Sequence, residues 1–170
     1  DEESGKVWCR GSSVMHSYFR DPEATAECLV DGWLDTGDMG YMADGYLFIV
    51  GRAKDMIIIN GKNHWPQDIE WAVEQLPGFN HGDIAAFSVE MENGEEAPAV
   101  LVHCRVSDPQ ARIALRDQIR DKVRSITGMN CVVELVPPRT LPRTSSGKLS
   151  RVKARQLYLS GEIVPFDVAA

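Results

Sequence analysis

The chain has 170 residues, 44% hydrophobic and 25% charged, which is the composition of a soluble globular protein and not of a disordered or fibrous one. Its net charge of -7 is uneven: residues 1–100 hold 6 Lys and Arg against 19 Asp and Glu, and residues 101–170 hold 12 against 6. An acidic front excludes general nucleic-acid binding, which needs a basic domain. No window approaches the roughly 18 uninterrupted apolar residues of a membrane helix.

The N-terminal DEESGKVWCR has neither an initiator Met nor the apolar core of a signal peptide, so the chain reads as a piece excised from a longer cytoplasmic protein. Cys9, Cys28, Cys104 and Cys131 form no CxxC pair, so no metal site is expected and reduced thiols are.

In chain order, residues 1–50 read as short strands and turns. Val7 to Arg10 is a strand candidate, and DPEATAECL a short helix begun by Asp21-Pro22. Gly32, Gly37, Gly40 and Gly45 punctuate the next stretch, with Asp44-Gly45 a hairpin turn between YM and YLFIV. From about residue 55 a compact α+β unit begins. The apolar run Met56 to Ile59 ends at the turn pair Asn60-Gly61, and Pro66 opens a helix, PQDIEWAVEQL, with Ile69, Val73 and Leu76 as its stripe. IAAFSVEM and AVLVHCRV are strands joined around Asn93-Gly94. Ser107-Asp108-Pro109 caps a long helix with Leu115, Ile119, Val123 and Ile126 on one face, stopped by Gly128. CVVELV is a third strand, and a last helix runs from about Ser150 to Leu159. The economical packing is a three-stranded sheet plus a hairpin, with helices covering a face.

Three stretches carry polar chemistry. LPRTSSGKLSR contains Gly147-Lys148 but is not a phosphate-binding P-loop, because Pro142 stands where that loop needs Gly and Leu149 where it needs Ser or Thr. Lys148 is either a charge on a solvated loop or, presented by a mobile hydroxyl-rich turn, a point charge suited to transient contact with developing negative charge. In DGWLDTGDMG, Asp38 sits on a tight turn, where it satisfies its own backbone or accepts from vicinal hydroxyls such as those of a ribose. In GRAKDMIIINGKNHWPQDIE, Arg52, Ala53 and Lys54 lie at the joint between the two regions. Arg52 is a solvated hairpin residue or a fork for hydroxyls or phosphate, and Gly61 a turn residue or a place where backbone meets ligand. His64 and Trp65 line a channel or cap the helix that Pro66 opens, with packing the better reading for Trp65.

GKVWCRGSSVMHSYFRDPEAT, WLDTGD, GRAKD and PRTSSGKLSR, in this order and at these gaps, resemble the adenylate-forming superfamily of acyl-CoA synthetases, peptide-synthetase adenylation domains and fatty acyl-AMP ligases. The resemblance implies that residues 1–51 end a large N-terminal domain, 52–55 are a hinge and 56–170 a mobile C-terminal lid. Asp38 with Arg52 would hold the ribose of ATP, Lys54 would be the hinge residue, and Lys148 would meet the α-phosphate and carboxylate oxygens. Gly61 would face a pantetheine arm, and Mg2+ would be held mainly by a domain outside this chain. NGKNHWPQDIE is most similar to fatty acyl-AMP ligases, which implies a fatty acid substrate and an acyl carrier protein as acceptor. The alternatives are a CoA synthetase using free CoA, or a non-catalytic module whose basic 139–155 segment docks a carrier protein. Without an upstream phosphate loop, these 170 residues alone are expected to give no fatty-acid-dependent ATP–pyrophosphate exchange; measurable exchange would overturn that expectation.

Overall fold

In the computed structural model, residues 3–59, 61–91 and 94–166 are described. Asn60 and Asn93, each half of an expected turn pair, lie outside them. The chain divides into two compact units, Asp1–Lys54 and Asp55–Ala170.

The first unit is a small sheet organised around one long strand. It contains β1 (Gly5–Cys9), α1 (Pro22–Cys28), β2 (Leu29–Val30), β3 (Trp33–Ala43) and β4 (Tyr46–Arg52). β3 pairs antiparallel with each of the other three strands. Asp21 caps α1, its carboxylate accepting from the Ala24 N–H at 2.9 Å, which supplies the helix's first turn with an acceptor it lacks internally. The hairpin at Asp44-Gly45 is as expected: both residues have left-handed φ, 50° and 80°, as a two-residue turn between twisted strands requires.

Gly32 and Gly45 lie in turns as expected, whereas Gly37 and Gly40 lie within β3. Gly40 is there because of close approach, since a Cβ at that position would stand 2.6 Å from the Phe48 carbonyl oxygen on β4. Gly37, at φ 72°, lies in a bulge where β3 slips register against β1 between Lys6 and Trp8. A bulge adds unpaired residues to one strand and re-aims their side chains.

The second unit is the α+β body. A hairpin of β5 (Ile57–Ile59) and β6 (Lys62–His64) precedes α2 (Pro66–Glu74), followed by β7 (Ile84–Glu90), β8 (Glu96–His103), α3 (Pro109–Thr127), β9 (Val132–Val136) and α4 (Arg151–Leu159). The sheet order is β7-β8-β9. β7 and β8 pair antiparallel, whereas β8 and β9 run parallel with α3 as their crossover, since parallel neighbours need a long connection. Asp108 caps α3, accepting from the Ala111 N–H at 2.7 Å, and Gly128 at φ 73° closes it.

The helices cover both faces of this sheet, not one. Alternation along the strands sends Ile84, Ala86, Val100, Val102, Val133 and Leu135 to one side, with Ile69 and Val73 of α2 and Ile119 and Val123 of α3. Ala85, Phe87, Val89, Ala99 and Leu101 go to the other, with Ala154 of α4 and with Leu141 from the loop before it. That is why β7 and β8 read as nearly continuous apolar runs. The expected stripe of α3 holds through Val123. Ile126, in the last turn, is 45% exposed, and Met129 beyond the helix packs on the core instead. Pro98 sits within β8 opposite Ser88 and has no N–H to give; the Ser88 carbonyl accepts from Arg155 Nε of α4 at 2.9 Å.

Leu101 is fully buried beneath α4's layer. Leu101→Ala should cost about 2–5 kcal/mol by urea denaturation, and Ile126→Ala less than about 1 kcal/mol. Equal losses would contradict the two-faced core.

Candidate functional site

The first unit presents Asp38 and Arg52 as a cross-strand pair. Asp38 is not on a turn between elements; it lies in β3 at the end of the bulge and is paired in register with Arg52 of β4. The bulge is built from its own polar groups. The Thr36 hydroxyl donates to the Val7 carbonyl at 2.8 Å, the Gly37 N–H donates to the Asp35 carboxylate at 2.9 Å, and the Asp38 N–H donates to Thr36 Oγ1 at 3.1 Å. Asp38's side chain therefore has no part in closing the bulge, and its Oδ1 meets Arg52 Nε at 3.2 Å. With side chains 30% and 54% exposed, the pair adds little to stability and leaves polar groups open to a ligand. Lys54 is exposed in the 3-10 turn Ala53–Asp55 that follows.

The second unit presents Lys148. Arg143 and Leu149 form an isolated antiparallel bridge, and the residues between them make a closed turn. The Thr144 N–H donates to the Lys148 carbonyl at 2.8 Å and the Gly147 N–H to the Thr144 carbonyl at 2.9 Å. Thr144 Oγ1 accepts from the Lys148 N–H at 3.1 Å and lies 2.9 Å from Ser146 Oγ. The turn is hydroxyl-rich, as expected, but these hydroxyls hold the turn together. Gly147 is left-handed at φ 81°, as such a turn needs. Arg143 donates to the Gly147 carbonyl at 3.0 Å and to the Gly82 carbonyl at 3.1 Å, tying the turn to the segment before β7. Lys148, next to the bridge, is exposed.

Below the turn, Arg151 at the start of α4 reaches across the fold. Its fork donates to both oxygens of Glu70 on α2, Nε to Oε1 at 2.7 Å and Nη2 to Oε2 at 2.6 Å. Nη1 approaches Asp55, the first residue of this unit, at 3.4 Å. Glu70 Oε1 also accepts from the Ala86 N–H of β7 at 3.0 Å. Burial pushes the Glu70 carboxyl above its ordinary value, and the Arg151 fork and Ala86 N–H oppose that rise. The sequence reading missed this network. The available signal was Glu70 itself, an acid on the same buried face of α2 as Ile69 and Val73, because a buried carboxylate implies a partner.

Gly61 closes the β5–β6 hairpin at φ 72°, and a Cβ there would meet nothing within 4 Å. The glycine answers a backbone requirement, on an open side of the hairpin. Neither His64 nor Trp65 caps α2 with its side chain; His64 Nε2 and Gln67 Oε1 are buried without a hydrogen-bond partner. Among the described residues no three His, Cys, Asp or Glu side chains cluster as metal ligands, and no helix is long and apolar enough to cross a membrane.

A family profile for the AMP-binding enzyme C-terminal domain matches residues 61–156, a span that takes in Gly61, Glu70, Lys148 and Arg151. The chain belongs to that family. Over 159 residues it is 48% identical to a Caulobacter vibrioides protein named as an acyl-CoA synthetase, covering 92% of this chain and 28% of the relative. Among solved structures it is similar to one from a study of fatty acyl-adenylate ligases from E. coli and L. pneumophila. That match has TM-score 0.82 and 40% identity, over 94% of this chain and 28% of that one. It is also similar to McyG A-PCP complexed with phenylalanyl-adenylate, at TM-score 0.83 and 30% identity, over 95% of this chain and 29% of that one. The chain thus spans less than a third of the length of the relatives it matches, and its α+β fold is theirs.

Arg151→Met leaves Glu70 buried and uncompensated, which should lower unfolding free energy by about 3–5 kcal/mol in denaturant titrations. Arg120→Met, at the exposed Arg120–Asp117 pair, should cost at most about 1 kcal/mol; parity between the two would show that the Glu70 network does not hold the unit together.

Proposed function

We propose that this chain is the hinge-bearing C-terminal portion of an ATP-dependent ligase that forms fatty acyl-adenylate and passes the acyl group to the phosphopantetheine thiol of an acyl carrier protein. The observation that carries this reading is the closed turn that presents Lys148 as an exposed residue, tied by Arg143 to the segment before β7 and followed by the Arg151 that pairs with Glu70. Residues 1–51 are then the end of a larger N-terminal domain, 52–55 the hinge with Lys54 at its pivot, and 56–170 the lid. A cytoplasmic setting fits the four free thiols.

In the first step a carboxylate oxygen attacks the α-phosphorus of ATP while the bond to pyrophosphate breaks. Charge grows on the oxygens in flight, and an ammonium carried by an already ordered turn stabilises it with little reorganisation. Asp38 accepts from the ribose hydroxyls, with Arg52 fixing one of its oxygens. The lysine turn then withdraws and the Gly61 hairpin faces the incoming thiol, whose sulfur forms the thioester as AMP leaves. Such a step couples motion to chemistry. Mg2+ would be held mainly by the domain outside this chain and would supply charge neutralisation at the ATP phosphates; this chain's own contribution is the lysine, the ribose clamp and the hinge.

The carrier-protein acceptor is supported by likeness to fatty acyl-adenylate ligases and to an A-PCP structure. A CoA acceptor is the second reading, favoured by the 48% identity to the relative named as an acyl-CoA synthetase.

In the full-length enzyme, Lys148→Ala should lower fatty-acid-dependent ATP–pyrophosphate exchange about 10²-fold or more and leave thioester formation from supplied acyl-adenylate largely intact. An unimpaired exchange would remove Lys148 from the mechanism. The same transfer assay, run with carrier protein and with CoA, separates the two acceptors.

A further inference from the structure

The lysine turn has a second anchor, buried and separate from Arg151. The N–H of Leu141, at the base of the loop, donates to His103 Nε2 at 3.1 Å, across 38 residues of sequence. His103 is the last residue of β8 and is 4% exposed. A nitrogen that accepts this bond carries no proton, so the imidazole proton is on Nδ1, which faces Asp83 Oδ1 at 3.3 Å. Hydrogen bonding at one ring nitrogen dictates what the other can do.

Asp83 is held for this task. Arg105 donates to both its oxygens, at 2.8 and 3.2 Å. The backbone and side-chain N–H groups of Asn80 donate to Oδ2 at 3.0 and 3.3 Å. Burial works against charge on Asp83, yet the Arg105 fork, Asn80 and His103 together hold its carboxyl well below the usual range. It therefore stays an acceptor. Main-chain bonds complete the frame: the His103 N–H donates to the Asp83 carbonyl at 2.8 Å, and Arg143 two residues past Leu141 grips the Gly82 carbonyl. Asp83, His103 and the base of the lysine loop thus line one cavity of about 630 Å³, together with Arg105 and Arg143.

We propose that His103, kept as the Nδ1–H tautomer by Asp83, is a positioning residue that sets the base of the Lys148 turn through the Leu141 N–H. The proposal rests on Lys148 acting in adenylation. His103 touches no substrate; it acts by fixing where the turn starts. A protonated ring would point Nε2–H at the Leu141 N–H, two donors facing each other, and the base of the turn would lose its acceptor.

The groups facing the ring set where that happens. Burial disfavours the charged ring, Asp83 favours it, and Arg105 and Arg143 oppose it; the result lies below the ordinary imidazole value of 6.5. A His depressed in the fold is neutral there while the unfolded chain is already taking up protons. The unfolded state then binds more protons, and stability rises with pH. The anchor's contribution is whole above about pH 6.5 and is lost as pH falls below it through the folded value.

The test uses the full-length enzyme and measures both half-reactions. His103→Leu should lower ATP–pyrophosphate exchange about 10-fold to 10²-fold, the scale of a misplaced catalytic group, with transfer from supplied acyl-adenylate unchanged within about 2-fold. His103→Gln, whose Oε1 accepts the Leu141 N–H but does not titrate, should recover most of the exchange and lose the wild-type acid limb below about pH 6.5. Equal loss in both half-reactions, normal exchange in His103→Leu, or a Gln variant no better than Leu would each overturn the proposal. If His103→Leu does not fold, the pH profiles of wild type and His103→Gln decide: a persisting acid limb in Gln overturns it. Exchange surviving in Lys148→Ala would sink the lysine's role itself, whereas an inactive Lys148→Ala beside a normal His103→Leu would sink only this inference.

Discussion

The Arg151 fork on Glu70 is the interaction on which the second unit depends. One guanidinium closes α4 onto α2, reaches Asp55 at the start of the unit, and shares Glu70 with the Ala86 N–H of β7. Two charges taken out of water give little net stability unless their geometry is good and the remaining lone pairs are used. Here the bonds are short, the fork is bidentate and the spare acceptor capacity is filled by backbone. The pair therefore works more as a register than as glue, since α4 can sit on the sheet in only one way. Arg151 is also three residues from Lys148, so what orders the helix orders the turn.

A second contrast separates holding from handling. The Glu70–Arg151 pair is mostly buried, at 9% and 20% side-chain exposure, whereas Asp38–Arg52 is 30% and 54% exposed. Solvent screens the latter, so it adds little to stability, but a ligand can displace water from it without breaking the sheet. Asp83 and His103 resemble the buried pair in burial, but they hold a backbone N–H in place of a helix. The chain is thus tied before the lysine turn at Leu141 and after it at Arg151. In the proposed role of Lys148 this ordering would matter, because fixed dipoles and charges need no reorganisation as a reaction proceeds.

Local chemistry made much of this legible from residues alone. Asp108 and Gly128 bracket α3, Pro66 opens α2 and Asp44-Gly45 turns a hairpin, because caps and left-handed turns depend on side chains within a few residues. Lys148, Asp38 and Arg52 stood out for a similar reason: each lies in a short stretch of fixed spacing. Other features were not local. β7 and β8 are apolar on both faces, so their alternation disappears into a continuous run that does not say on which face each helix packs. Asp38 read as a turn residue because glycines flank it, but pairing with β1 and β4 draws those glycines into one bulged strand.

By itself, the sequence determined the α+β class and most element boundaries and singled out the candidate residues Asp38, Arg52 and Lys148, since these follow from propensity, capping and motif spacing. Tertiary structure alone decided how the lysine turn is held. Arg151 meets Glu70 across 81 residues, and Leu141 meets His103 across 38. No local pattern encodes such pairs. They form because burying the sheet on both faces leaves charged and polar groups inside that must find partners from distant parts of the chain.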